Sequence, residues 1–408
     1  MECLDVSGMA STVTQASPRL LFLITEDWTF WEIRRDLARS ARDAGYEVVI
    51  ATRVVDHGER IRNEGFRLVP IGLRRRSRNP IREFMAFIEL VRLYRRERPQ
   101  IVQQVAMKPI LYGSFAAWMT GVPVVINTFA GLGYAFTDRP CHVSLLRRVM
   151  QLGLRMAVRF SRSLVVCQNV EDRDVLAKEG IVSSDRIRII AGSGVDATLF
   201  VPVQTPEGLP IVMLAGRMLW DKGVAEFVAA ACLLKKKAIP ARFVLVGRRD
   251  EDNPTAIEEE QLSRWSQNDG IEWWGHREDM PTVLGAATLV VLPSYREGLP
   301  KVLLEAAACG KALIATDVPG CREAVRHQDT GLLVPVRDPV ALADAIASLL
   351  ANHELRATMA VSGREFVVRE YSKEKIAGQF LKLYQEQLAL AGQASVDRST
   401  HSHNALRQ

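Results

Sequence analysis

The chain has 408 residues, of which 48% are hydrophobic and 25% charged, a composition typical of a globular protein that excludes a disordered or fibrous one. This length is sufficient for two domains, each with its own core. The formal net charge is +6 at pH 7, and residues 1–200 hold the excess, with 29 Lys and Arg against 21 Asp and Glu. The six cysteines contain no C-x-x-C pair, which predicts reduced thiols and argues against a disulfide framework or a zinc site.

The first half of the chain alternates short apolar runs with longer amphipathic ones. Residues 1–17 lack the basic start and apolar core of a signal peptide, and we expect a flexible N-terminus there. The patterns predict helices at 31–44, 80–98 and 110–119, and strands at 19–25, 47–52, 66–71, 101–105, 122–127 and 164–167. Strands that alternate with helices predict a parallel sheet covered on both faces.

One uncharged segment, from Pro109 to Thr137, resembles a membrane span in its length. Several Gly and Pro residues interrupt it, whereas a spanning helix needs about 20 mostly apolar residues in succession. We therefore predict a helix, a turn, a strand and a Gly-rich loop in this segment, and no membrane span.

Arginines are concentrated at 74–78 and in the predicted helix 80–98, where bulky apolar side chains lie between them. A basic helix of this kind is typical of an element that lies on an anionic membrane surface. An ordinary amphipathic helix that packs on its sheet and exposes an Arg-rich face explains the same pattern, and both interpretations can hold together. No recognition motif or aromatic ladder indicates a nucleic acid partner.

The second half repeats the alternation. The apolar run Ile211–Ala215 predicts a buried strand, and Gly216 at its end lets a ligand approach the backbone closely. Arg217 offers a fork of donors to phosphate, and Lys222 adds a charge just before a predicted helix. Loop cations are usually only solvated, but these follow a predicted parallel strand, where α/β proteins bind their ligands.

Two carboxylates, Glu297 and Glu305, lie on either side of a turn that contains Gly298 and Pro300. Pro favours the start of a helix, so we expect Glu297 at the helix entrance and Glu305 one to two turns inside, roughly 10 Å away. The free N–H groups of a helix start suit a phosphate. Acids on both sides of such a site suit a nucleotide sugar, although a pair of solvated surface charges has the same spacing.

Together these motifs resemble the retaining GT-B glycosyltransferases of family 4, which include bacterial polysaccharide and lipid-linked-sugar transferases. The resemblance is close over about residues 187–350 and rests on Gly192-Ser193-Gly194-Val195-Asp196, Ala215-Gly216-Arg217, Asp221-Lys222-Gly223, Leu245-Val246-Gly247, Trp274-Gly275, Leu292-Pro293-Ser294-Tyr295-Arg296-Glu297-Gly298 and Thr316-Asp317-Val318-Pro319-Gly320. It implies two Rossmann-like, doubly wound parallel-sheet domains facing across a cleft. The expected divisions are an acceptor-side domain (18–200), a donor-binding domain (201–372), a helix crossing back to the first domain (373–392) and a disordered tail (393–408).

The resemblance also implies roles for individual residues. Glu297 would contact the donor hexose and act in catalysis together with Arg217 and Lys222, which would bind the diphosphate. Glu305 would contact the ribose. The further donor-binding candidates are Gly216, Gly275, His276, Arg277, Gly298, Leu299 and Pro300, with the base received after Gly275. No metal is expected, because the cations of the protein can stabilise the leaving diphosphate.

The chain departs from the family at one position. Some members carry a His after a first-domain strand, near the reacting carbon, and Ala130 stands at the comparable position here. This removes the usual candidate for a general base. It favours a branch with a Gly-Leu-Gly loop that includes transferases acting on undecaprenyl-diphosphate-linked sugars. The acceptor-side candidates are Asp27, Trp28, Lys108, Gly131 and Gly133.

We therefore expect a retaining, metal-independent hexosyltransferase on the cytoplasmic face of the membrane, which moves a sugar from a UDP-sugar to a lipid-linked saccharide. A soluble transferase acting on a small metabolite, a sugar-nucleotide epimerase and a non-catalytic nucleotide-sugar binder are alternatives that the sequence leaves open. A dinucleotide-dependent dehydrogenase is the weakest alternative, because no G-x-G-x-x-G follows the first strand. No pattern predicts an oligomeric state.

Overall fold

The computed structural model describes residues 17–75, 77, 79–132, 144–204, 206–251 and 253–405, without the side chains of 144–147 and 395–405. Two parallel sheets dominate this part of the chain, one of seven strands and one of six. Buried apolar clusters lie on both faces of each sheet. This confirms the predicted α/β fold with two parallel sheets.

The first sheet has the strand order β3-β2-β1-β4-β5-β6-β7. Its strands are β1 (Arg19–Glu26), β2 (Glu47–Arg53), β3 (Arg67–Pro70), β4 (Ile101–Val105), β5 (Val124–Thr128), β6 (Leu164–Cys167) and β7 (Ile187–Ile189). The helices between them are α1 (Asp27–Ile33), α2 (Arg35–Asp43), α3 (Gly58–Asn63), α4 (Pro80–Glu97), α5 (Met107–Thr120), α6 (Ser144–Phe160) and α7 (Val170–Lys178). All neighbouring strands are parallel, so their carboxyl ends meet at one edge.

The second sheet has the order β10-β9-β8-β11-β12-β13 and is also wholly parallel. Its strands are β8 (Ile211–Ala215), β9 (Arg242–Val246), β10 (Ile271–Trp273), β11 (Leu289–Leu292), β12 (Ala312–Thr316) and β13 (Gly331–Val334). Its helices are α8 (Val224–Lys236), α9 (Glu259–Arg264), α10 (Met280–Ala286), α11 (Lys301–Ala308), α12 (Pro319–Ala324), α13 (Pro339–Ala351) and α14 (His353–Tyr371).

Strand β8 shows why a continuous apolar run forms a central strand. Met213 and Ala215 belong to the core on one face of the sheet, and Val212 and Leu214 belong to the core on the other. Successive side chains of a strand point to opposite faces, so a strand covered on both faces needs apolar residues at every position.

The helix predicted at 31–44 is wrong as a single element, because α1 and α2 are separated at Arg34, where φ is −121° and ψ is −7°. The Arg34 side chain is fully buried, and burial lowers its pKa to about 10. Its Nη1 donates to the Gly192 carbonyl at 3.1 Å, and its guanidinium lies 5.5 Å from the ring centre of Phe380. These tertiary contacts fix the break between the two helices.

The final helix, α15 (Lys373–Ala405), is longer than the predicted 373–392 and continues through the segment predicted to be a disordered tail. The continuation contains no proline or glycine, so no strong helix breaker ends the helix. Within its first half, α15 packs on the first sheet through five buried side chains, Ile376, Ala377, Phe380, Leu383 and Tyr384.

The uncharged segment predicted not to span a membrane forms α5 and β5, and its later residues lie outside the description. Among the helices that the structure describes, none combines the length and the apolar content needed to cross a bilayer.

Candidate active site

The loops at the carboxyl ends of the two sheets meet each other. Asn169 follows β6, and its Nδ2 donates to the Gly298 carbonyl, which follows β11, at 2.9 Å. Asp172 accepts from Arg296 Nη2 at 3.1 Å across the same boundary. Burial raises the pKa of the Asp172 carboxyl, and Arg296 only partly offsets this. Ligands of parallel α/β sheets bind at strand carboxyl ends, so a site between these loops can use groups from both domains.

Glycines form the closest part of this contact. A Cβ placed on Gly298 would meet the amide of Gln168 and would lie 2.8 Å from the backbone N of Gly131. A Cβ on Gly320 would in turn meet the Gly298 and Glu297 carbonyls. The backbone of the turn around Gly298 is therefore held between the two domains, and only glycine fits there without displacing its neighbours.

The structure brings Lys222 and Glu297 together. Lys222 ends a short 3-10 turn after β8, Glu297 follows the neighbouring strand β11, and Lys222 Nζ forms an ion pair with Glu297 Oε1. Both side chains are largely buried. Gly223 makes this placement possible, since its φ is +70° and a Cβ would collide with the Pro293 carbonyl.

Arg217 lies at the end of β8 and is held by a residue that the sequence reasoning missed. Its Nη1 donates to Asp250 Oδ2 at 2.6 Å, and the same oxygen accepts from Arg75 Nη1 of the first domain at 3.0 Å. Burial alone would raise the pKa of the Asp250 carboxyl, but the two guanidinium groups outweigh it and hold the pKa below its usual value. The only sequence signal for Asp250 is its position shortly after β9.

Gly216, beside Arg217, borders open space. A Cβ at this position would have no heavy atom within 4 Å, so a ligand can approach the backbone closely. The neighbouring strand ends are packed more tightly, because Gly247 N donates to the Gly275 carbonyl at 2.7 Å and a Cβ on Gly247 would collide with the Gly216 carbonyl. A ligand can therefore reach the backbone at Gly216, whereas the backbone at Gly247 is packed against Gly216 and Gly275.

Glu305 is buried in the first two turns of α11, which begins directly after Pro300. Its Oε1 forms an i,i+4 ion pair with Lys301 Nζ at 3.0 Å, and the same Nζ donates to the Glu32 carbonyl of the first domain at 3.0 Å. Lys301 was missed, although the i,i+4 spacing of Lys and Glu on a helix is a readable signal for such a pair. Leu299, the other predicted residue of this turn, packs against the core of the second domain.

The stretch after Gly275 lies at the surface. His276 is exposed, and the Arg277 guanidinium forms a fork with the Asp279 carboxylate at 2.8 and 2.6 Å. Its neighbour Glu278 pairs with Arg60 of the first domain at 3.1 Å. The loop therefore borders the contact between the domains, and Arg277 and Asp279 pair with each other while Glu278 pairs with the first domain.

Residues 209–352 match the sequence family described as "Glycosyl transferases group 1", and residues 19–169 match "Glycosyl transferase 4-like". An alpha-maltose-1-phosphate synthase of Mycolicibacterium smegmatis is 34% identical over 307 residues, which cover 68% of this chain and 76% of that protein. The chain belongs to the group 1 glycosyl transferases. This confirms the predicted family, and the protein is a glycosyltransferase.

Two further comparisons extend over nearly the whole glycosyltransferase. The N,N'-diacetylbacillosaminyl-diphospho-undecaprenol alpha-1,3-N-acetylgalactosaminyltransferase of Campylobacter jejuni is 28% identical over 379 residues, 90% of this chain and 98% of that protein. The crystal structure of Anabaena HepE in complex with UDP and glucose superposes with a TM-score of 0.74 at 17% identity, over 90% of this chain and 100% of that one. The second comparison, with the two sheets, confirms the GT-B fold.

In the first domain of the glycosyltransferase, two of the residues predicted to contact the acceptor make internal contacts. Asp27 is buried, and its Oδ2 accepts from the backbone N–H groups of residues 55–57 at 2.7–2.9 Å, which holds the loop before α3. Lys108 Nζ lies 2.9 Å from both carboxylate oxygens of Glu83 and also donates to the Arg74 and Ser77 carbonyls. Lys108 thus anchors the Arg-rich loop before α4.

The other acceptor-side candidates differ in their placement. Trp28 faces the second domain, with the Arg248 guanidinium 4.8 Å from its ring centre. Gly131 packs against Gly298, as described above, and Gly133 lies outside the described residues. A buried acid at the end of β1, Glu26, was missed. Burial raises the pKa of its carboxyl, with Arg53 at 3.4 Å only partly offsetting this.

The described residues contain no group of three or more His, Cys, Asp or Glu side chains arranged to hold a metal ion. The positive charges near the cleft come instead from Arg217, Lys222 and Arg75, each of which is paired with a carboxylate.

Proposed function

We propose that this glycosyltransferase moves a hexose or N-acetylhexosamine from a UDP-sugar to a lipid-linked saccharide, with retention of the anomeric configuration. The observation that carries the proposal is the placement of Lys222 and Glu297 at the carboxyl ends of the adjacent strands β8 and β11, where the first domain closes over them. A site of this shape offers cations to a diphosphate and a carboxylate to the hydroxyls of a sugar.

Stabilisation of the leaving group is the main chemical task of the site. Negative charge builds on the diphosphate as the bond between sugar and phosphate breaks. Lys222, Arg217 and the free N–H groups at the start of α11 supply fixed positive charge and donors, which act before the reaction begins. A diphosphate that binds Arg217 competes with Asp250, to which Arg217 now donates at 2.6 Å.

The two glutamates bind the two sugar rings of the donor. Glu297 accepts from hydroxyls of the transferred hexose, and Glu305, farther along α11, accepts from the ribose. As the resemblance to retaining transferases implies, the acceptor hydroxyl attacks from the face of the leaving group and passes its proton to the phosphate. Ala130, which stands where some relatives have a His, supplies no general base. The cations of the protein do the work of a metal in this scheme.

A lipid-linked acceptor is supported by the Campylobacter relative, whose name includes diphospho-undecaprenol and which aligns with 90% of this chain. The bound UDP and glucose of Anabaena HepE support a UDP-sugar donor. The basic helix at 80–98 supports attachment to the inner face of the cytoplasmic membrane, because Ile81, Phe84 and Met85 of α4 are exposed there beside arginines.

The test is release of nucleotide from a panel of UDP- and GDP-sugars, with and without lipid extract of the source cells. We expect release that requires one UDP-sugar and the extract, and that falls about 100-fold or more in Lys222→Ala and Glu297→Gln. Lys237→Ala is the matched control, since it removes an exposed lysine paired with Asp344 in the same domain. Conversion of the donor without extract would instead show an epimerase or hydrolase, and turnover with a soluble sugar alone would show a small-molecule transferase.

A further inference from the structure

Helix α6 presents an apolar stripe to solvent. Its members are between 40% and 59% exposed and recur at i, i+3, i+7 and i+11, namely Val149, Leu152, Met156 and Phe160. Trp118 and Met119 at the end of α5 extend the stripe, and the Trp118 ring stacks on Phe160 with centres 5.2 Å apart. These six residues form what we term the α6 surface. Contiguous apolar patches of this kind mark interaction sites.

A row of arginines runs along one side of this stripe. Arg148, Arg155 and Arg159 are exposed, and their spacing places them on the adjacent face of the same helix. The sequence of α6 contains no Asp or Glu. One acid from outside the helix lies beside the row, because the Glu179 carbonyl accepts from Arg155 Nη2 at 2.6 Å and its carboxylate accepts from Gln151 Nε2 at 3.0 Å. An apolar face beside a mainly basic one is typical of helices that lie in the interface of an anionic bilayer.

The position of α6 in the fold suits such an attachment. Helices α4, α5 and α6 lie side by side over the first sheet, so the α6 surface and the exposed apolar residues of α4 belong to one layer. Helix α6 is followed at once by β6, so its last turn lies at the amino edge of the sheet. Its 17 residues extend roughly 25 Å back toward the cleft.

We propose that the α6 surface is the principal membrane-docking surface of this glycosyltransferase and that its partner is a bilayer containing anionic lipid. The stripe enters the interface while the arginine row contacts lipid phosphates. A second copy of the chain fits less well, because two such surfaces face to face would bring two arginine rows together with no acid on either α6. The inference deepens the proposed function and rests on its lipid-linked acceptor, yet docking itself requires no turnover.

The test is co-sedimentation of the full chain with vesicles of phosphatidylcholine, with and without phosphatidylglycerol. We expect binding only with the anionic lipid, weakened about fivefold for each arginine replaced in Arg148→Gln and Arg159→Gln. The double variant Leu152→Glu/Met156→Glu should bind at least tenfold more weakly. Val361→Glu is the matched control, because Val361 is 60% exposed on the second domain. The variant Phe84→Glu in α4 distinguishes the contribution of α4 to binding from that of α6. It should bind the vesicles more strongly than the α6 double variant.

Failure of wild-type chain to sediment with anionic vesicles would overturn the proposal, as would an α6 double variant that sediments like wild type. A wild-type dimer that becomes monomeric in the α6 variant would assign this surface to a second copy instead. Nucleotide release with detergent-solubilised lipid extract reports on the proposed function separately. A chain that docks but releases no nucleotide contradicts that function alone, whereas release without docking contradicts only the membrane surface.

Discussion

Replacement of Gly298 by alanine tests the contact between the two domains at its tightest point. The new Cβ would meet the Gln168 amide and would lie 2.8 Å from Gly131 N and 2.9 Å from Gly131 Cα. Ordinary contacts of a Cβ begin near 3.4 Å, so the two backbones must separate by about half an ångström or more. Gly298 is bonded to Glu297, which pairs with Lys222, so this separation displaces the centre of the site.

The expected cost has two parts. Overpacking a close contact costs about 1–3 kcal/mol of unfolding free energy. A displacement approaching 1 Å in a catalytic site costs about 100-fold in rate. We therefore expect Gly298→Ala to lower kcat/KM for nucleotide release by about two orders of magnitude and to lower the stability only modestly.

Urea unfolding and steady-state nucleotide release measure these two effects separately. Gly378→Ala is the control, because Gly378 lies on an exposed face of α15 with no heavy atom within 4 Å of the new Cβ. The control should gain about 1 kcal/mol of stability and keep its activity. Wild-type kcat/KM in Gly298→Ala would refute the reasoning, since it would show that catalysis does not depend on this contact between the domains.

Three further outcomes follow from the structure. Burial alone would raise the pKa of Asp196, but the Lys373 ammonium and hydrogen bonds outweigh it and lower the pKa to about 2. Ionised Asp196 therefore stabilises the fold above pH 4, and this stabilisation is lost as the pH falls from about 4 to 2. Asp196→Asn should therefore cost about 1–2 kcal/mol in urea unfolding at pH 7, after allowance for solvent screening, and equal costs at pH 7 and pH 2 would contradict this. Phe380→Ala removes a fully buried ring between α15 and the first sheet and should lower the free energy of unfolding by about 3–5 kcal/mol. Leu390→Ala, on the exposed part of α15, should change the urea midpoint little. Similar midpoints in both variants would show that Phe380 does not anchor α15. EDTA should leave nucleotide release unchanged, because protein cations neutralise the diphosphate, and activity restored only by added Mg²⁺ would reverse that assignment.

Local patterns predicted the central strands well. The bounds of β4, β6 and β8 agree with the predicted runs 101–105, 164–167 and 211–215 to the residue. Each is a short run buried on both sides, and such burial favours apolar residues throughout. The exceptions are Gln103 and Gln104 of β4, whose buried amides are hydrogen-bonded to Thr128 and Ser114. Elements whose limits depend on distant partners were predicted less well. Helix α3 was missed because it is short and polar, and the N–H groups before it are held by the Asp27 carboxylate at the start of α1.

The break between α1 and α2 has the same kind of cause. The segment around Arg34 reads as one helix because its helix-forming pattern is continuous. The buried guanidinium instead reaches Gly192 and Phe380, which lie 158 and 346 positions away along the chain. A single-sequence pattern contains the propensity of a segment but not the tertiary contact that overrides it.

The candidate site shows the same difference between residues marked by their local sequence and contacts made over long distances in the chain. Lys222, Arg217, Glu297 and Glu305 stand at strand ends and helix starts that the sequence itself marks, so each could be predicted from its own neighbourhood. The carboxylate partner of Arg217 could not be predicted in this way. Asp250 follows a different strand, and it is also held by Arg75 from the other domain. An ion pair across a cleft depends on how two domains face each other, and that relation is set by the contact at Gly298 and the packing of α15 rather than by any motif near the paired residues.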